Sequence, residues 1–226
     1  VIAGFEEKGK MRGPSPSHLS FLSSIALKTM PTALSAQNLC CRRGDRWLFH
    51  GLNLAMAPGE VLHLTGPNGA GKTSLMRMLA GLLRPSPMLD GQIGTIAWQD
   101  TIAMLDERPA LDMAQPLGKA LDFWRGIDGA GDLPLGELGI EALLDVPVRY
   151  LSTGQRKRAA LARLIGQNAR NWLLDEPLNG LDVAGVALIE DLVAKHCAAG
   201  GTVIVTSHQP ISLPGARRLD IGAYAL

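Results

Sequence analysis

The sequence predicts an α/β fold built on a mostly parallel sheet covered by helices on both faces, and three observations carry that expectation. Apolar strand-like runs alternate with helix-like segments along most of the chain. One of these runs, "PGEVLHLTG", is more continuously apolar than the strands before it, as suits a strand buried on both faces. A glycine-rich loop separates one such strand from a helix.

The elements follow in order from about Ala33. "ALSAQNLCCR" and "LFHGLNLAM" alternate as strands around a turn at "RGD", and "PGEVLHLTG" is a third strand, expected to be central. "GKTSLMRMLAGLL" is a helix, "IGTIAW" and "TIAML" are short strands, and a helix-rich stretch runs from about Leu117 to Gln167. The pattern then returns to strand "NWLLD", a helix from Val183 to Cys197 with Val186, Ile189 and Val193 at helical spacing, strand "TVIVTS", and a last strand near "DIGAYAL". Residues 1–32 read as a disordered or mis-annotated N-terminal extension, with Met30 a plausible alternative start. That stretch superficially resembles a signal peptide.

Composition narrows the function. With 226 residues, 46% hydrophobic and 19% charged, the chain has the make-up of an ordinary globular protein with one good-sized core. Its formal net charge of +1 gives no broad attraction to nucleic acid, so no nucleic-acid partner is expected. Cys40, Cys41 and Cys197 lack metal-ligand spacing, which fits a reducing compartment. No apolar run reaches the roughly 18 residues that span a bilayer, so a membrane role would come through another chain.

"GPNGAGKT", running Gly66, Pro67, Asn68, Gly69, Ala70, Gly71, Lys72 and Thr73, fits the phosphate-binding pattern G-x-x-x-x-G-K-[ST] and lies between a strand and a helix, with Ser74 next. Glycines let the backbone curl around phosphate oxygens, Lys72 offers a charge to the β and γ phosphates, and Thr73 a hydroxyl to Mg²⁺. The plain alternative is a glycine-rich turn that happens to match.

Three further stretches carry a family resemblance. "LSTGQRKRAALARLI" resembles the signature of ATP-binding cassette (ABC) ATPases, with Thr153 in place of a glycine. "NWLLDEP" with "LNGLD" resembles that family's Walker B strand and D-loop, and "TVIVTSHQP" places His208 like its switch histidine. The resemblance covers about 33–226 and implies the P-loop ABC ATPase fold, with an antiparallel β subdomain and a helical subdomain at about 112–167. It implies ATP as substrate and Mg²⁺ held by Thr73 and Asp175. Glu176 would be the general base for the attacking water and His208 a γ-phosphate contact that positions it. Ser152, Gly154 and Gln155 would meet the nucleotide of a second copy in a homodimer, and Asp182 would order the D-loop. The plain alternatives are a Ser-capped helix with a solvated basic face and, for Asp182, a helix-capping turn.

Two family features depart. Arg43 stands where many ABC ATPases stack the adenine, with Trp47 nearby but expected in the core. Glu107 or Arg108 stands where the Q-loop glutamine belongs, and Gln99 comes too early. "GLNLAMAPGEVLHLTGPNGAGKTSLMRMLAGLLRP", "WLLDEPLNGLD" and "TVIVTSHQPI" look like the ATPase subunit of the bacterial heme exporter of cytochrome c maturation, a branch that often lacks that glutamine. The resemblance implies an integral membrane permease of the exporter's B type as partner and a peripheral position on the cytoplasmic face of the inner membrane. His18, His50, His63 and His196 read as scattered structural or surface groups rather than a heme ligand set. The ATPase of another transporter and an ATP-binding regulator without transport remain as alternatives; intact Glu176 and His208 speak against the regulator.

Overall fold

The computed structural model describes residues 32–106 and 110–226; the expected extension lies outside the described residues but for Thr32. Two sheets form the scaffold. Strands β1 (Leu34–Arg43) and β2 (Arg46–Met56) are an antiparallel hairpin, and β1 also pairs antiparallel with β4 (Thr95–Trp98), giving the order β2-β1-β4. The parallel sheet has the order β5-β6-β7-β3-β8, built from β3 (Val61–Thr65), β5 (Ile102–Leu105), β6 (Asn171–Leu174), β7 (Thr202–Thr206) and β8 (Arg217–Asp220). The third strand is therefore interior, between β7 and β8, while β7 holds the centre.

Period-two alternation divides the core. Leu62, Leu64, Leu173 and Ile204 point to one face and meet the inward side chains of the antiparallel sheet, among them Phe49, Leu52 and Met56, together with Leu75, Met76 and Leu79 of α1 (Lys72–Leu79). Val203, Val205, Trp172 and Leu174 point to the other face. There they pack on α3 (Thr153–Gly166) and α4 (Val183–Ala198), with Leu117, Ala120 and Leu121 of α2 (Leu117–Asp128) in the same cluster. Burial on both sides is why β6 and β7 contain no exposed residue.

Two expectations are corrected. The helix after the glycine-rich loop stops at Leu79 instead of running through Leu83, because the chain passes through Ala80 into Gly81 at φ +74°, a left-handed exit suited to glycine. The last strand is Arg217–Asp220, upstream of its expected place, and Ile221–Tyr224 is a 3₁₀ turn. Asp220 accepts a hydrogen bond from the Gly222 N–H at 2.9 Å, and this local bond competes with continuation of the ladder.

Candidate nucleotide site

The glycine-rich loop leaves the end of β3 and opens α1. Gly66 has φ +140°, and a Cβ there would lie 2.7 Å from Ile221 Cγ2. Gly71, the N-cap, has φ +104° and would place a Cβ 3.0 Å from the Phe49 ring. Both positions exclude a side chain, for conformational and for steric reasons. Gly71 supplies no capping side chain, so the first N–H groups of α1 are available to an anion. Lys72, only 8% exposed, donates from Nζ to the carbonyls of Gly66 at 2.9 Å and Pro67 at 3.3 Å, which holds the ammonium against the loop.

A cleft of about 370 Å³ opens on this loop, lined by Leu48, Asn68, Gly69, Gly71, Lys72, Thr73, Ser74, Glu176, Asn179 and His208. Of the two acids, Glu176 lines this cleft and Asp175 does not. β6 ends at Leu174, so the two acids stand beyond the strand and its alternation does not separate them; the backbone at Glu176 is left-handed, with φ +49°. Asp175 is buried, and its Oδ1 accepts from Thr206 Oγ1 at 2.8 Å. The same hydroxyl accepts from the Glu176 N–H at 2.8 Å. Glu176 turns into the cleft, where its Oε1 lies 3.3 Å from His208 Nε2 and its Oε2 accepts from the His208 N–H at 3.3 Å.

Ser152, Gly154 and Gln155 are not part of this cleft. Ser152 caps α3 in a reciprocal box: its Oγ accepts from Gln155 N–H at 3.2 Å, and Gln155 Oε1 accepts from Ser152 N–H at 2.8 Å. The basic face that follows is only partly solvated, since Lys157 is 4% exposed. Asp182 caps α4 by accepting from Gly185 N–H at 2.8 Å and lies 3.9 Å from the Arg158 guanidinium.

Neither adenine candidate lines the cleft. Arg43 is exposed, and Trp47 is half-buried rather than core, edge-on to His50 at 5.4 Å. Leu48 and Asn179 are the lining residues that sequence reasoning passed over. Leu48 had a faint signal, since alternation along β2 sends Phe49 inward and its neighbour the other way. Gln99 is exposed beyond β4, and Glu107 and Arg108, like His18, lie outside the described residues. His196 stacks on Trp172 at 3.7 Å, and burial lowers the pKa of both His63 and His196, as expected of packed neutral imidazoles.

The donor set suits a nucleotide with Mg²⁺. A threonine hydroxyl and a carboxylate are hard oxygen donors, and Mg²⁺ is ordinarily held by one or two such groups together with substrate phosphates. A phosphate cradle at the end of one parallel strand, faced by a carboxylate and an imidazole from the ends of two neighbouring strands, is the arrangement of an ATPase cassette. Comparisons with known proteins agree: the family described as ABC transporter matches residues 49–179. The cytochrome c biogenesis ATP-binding export protein CcmA of Novosphingobium aromaticivorans is 54% identical over 188 residues, covering 83% of this chain and 95% of that one. Its namesake from Sphingopyxis alaskensis is 44% identical over 200 residues, covering 87% of this chain and 100% of that one. A solved metal-chelate type ABC transporter in an inward-facing conformation has a TM-score of 0.66 at 27% identity, over 80% of this chain and 75% of that one. The chain belongs to the ABC transporter family and, within it, to the cytochrome c biogenesis ATP-binding export proteins.

Proposed function

We propose that the chain is the ATP-hydrolysing subunit of an export system for cytochrome c biogenesis. It would work as a homodimer on the cytoplasmic face of the bacterial inner membrane, against a B-type heme exporter permease. The observation that carries the reading is the convergence of Lys72, Thr73, Glu176 and His208 on one cleft. The names of the relatives support the export role, and the branch resemblance supplies heme as the group handled.

Lys72 and the N-terminus of α1 bind the phosphates and spread their charge. Thr73 and Asp175 would hold Mg²⁺, which when bound neutralises charge on the β and γ phosphates. Glu176 accepts a proton from the water that attacks the γ phosphorus as the bond to the β-phosphate oxygen breaks. His208 holds the Glu176 carboxylate in place and offers its ring to the γ phosphate. Two copies lie head to tail, so that Ser152 and Gly154 of each cap the nucleotide on the other, with Asp182 ordering the loop between them. Closure on ATP and opening after hydrolysis drive the membrane subunit.

Among the described residues no helix is long and apolar enough to cross a membrane. An apolar surface on the helical side supports contact with a membrane subunit: Phe123, Ile127 and Met113 are exposed, and Phe123 lines a cavity of about 530 Å³ with Leu111, Ala120 and Trp124.

Glu176→Gln tests the hydrolytic assignment. ATP binding persists and size-exclusion chromatography finds an ATP-trapped dimer, while turnover falls by about 10² to 10⁴. Unchanged turnover would sink the base assignment. Recovery of an importer's permease with the chain from native membranes would overturn the export reading.

A further inference from the structure

Lys157 occupies a place that a solvated basic helix face does not explain. It lies early in α3, is 4% exposed, and donates from Nζ to the Glu176 carbonyl at 3.0 Å. Burying an ammonium is costly unless acceptors replace its water, so the carbonyl contact needs a reason beyond surface charge.

The reason lies in the backbone of Glu176. A non-glycine residue at φ +49° is held there by its surroundings. Its N–H donates to Thr206 Oγ1 at 2.8 Å, and its carbonyl accepts from Lys157 Nζ and, at 3.4 Å, from the Asn179 N–H. The direction of the carboxylate follows from that clamped backbone. The first two turns of α3 also rest on the same loop: a Cβ on Gly180 would lie 2.7 Å from Thr153 Cγ2, and Arg158 lies 3.9 Å from Asp182. Displacing the start of α3 therefore displaces the peptide that aims Glu176.

We propose that Lys157 is a positioning residue for hydrolysis, which holds Glu176 in its left-handed conformation and ties it to the start of α3. The inference rests on the proposed ATPase reading.

The test is steady-state ATPase of the full chain, with Lys157→Met, Lys157→Gln and, as reference, Glu176→Gln. Methionine keeps length and burial without the donor, so kcat falls about tenfold or more while KM stays within about twofold. The ATP-dependent dimer still forms on size-exclusion chromatography. Glutamine keeps an N–H donor and returns kcat to within about threefold of the parent. The proposal is overturned if the methionine variant has parental kcat, if both variants lose equally, or if KM rises in step with the loss. Should the methionine variant not fold, glutamine decides: a folded variant within about threefold supports the proposal, and one slowed further overturns it. A parent that does not hydrolyse ATP, or a Glu176→Gln variant as fast as the parent, defeats the ATPase reading itself, whatever Lys157 does.

Discussion

At the rim of the cleft, Leu48 is the one large apolar side chain among the lining residues. It can contribute to nucleotide binding through burial of apolar surface, where an aromatic ring would have contributed by stacking. Leu48→Ala is expected to cost about 1 kcal/mol of binding, raising the KM for ATP roughly fivefold with little change in kcat. Parallel changes in kcat and KM in steady-state assays would argue against a binding role. The acids were legible by type and position, but their directions were not. Thr206 stands 30 residues from Glu176 in sequence, and its hydroxyl joins the two acids only once β6 and β7 lie side by side.

At the scale of elements, α2 and α3 are joined through Arg163. Its Nε lies 3.0 Å from Asp128 Oδ2, and its guanidinium sits 3.5 Å over the Trp124 ring. Burial works to raise the Asp128 pKa, but hydrogen bonds from Arg163 and Gln167 outweigh it and hold the carboxyl below its ordinary value. A depressed carboxylate contributes stability above its unfolded pKa and loses it as pH falls through the folded one. Arg163→Ala is thus expected to cost about 2 kcal/mol at neutral pH, roughly 4–8 °C in Tm. The difference between variant and parent begins to narrow below about pH 4 and closes only as pH falls on through the depressed Asp128 pKa of the parent, where the paired carboxyl at last protonates. Thermal unfolding at the two pH values checks both points, and an equal difference in acid would remove the carboxylate from the account.

For the whole molecule, the exposed apolar surface around Phe123 is distinct from the cleft at the glycine-rich loop, with no lining residue in common. Phe123→Asp is expected to abolish co-purification with the membrane subunit while leaving basal ATPase within about twofold. Retained co-purification would move the docking surface elsewhere. Local sequence patterns determined most of the strands and helices, though not the end of α1 or the place of the last strand, together with the glycine cradle, the acid pair and the serine cap, because periodicity, glycine placement and capping act over a few neighbouring residues. Only the tertiary structure decided that Leu48 meets the cradle, that β7 and not β3 is central, and that Lys157 is buried against Glu176. Those contacts join residues far apart in the chain, and they depend on the order in which strands assemble, which the apolar period of a strand does not encode.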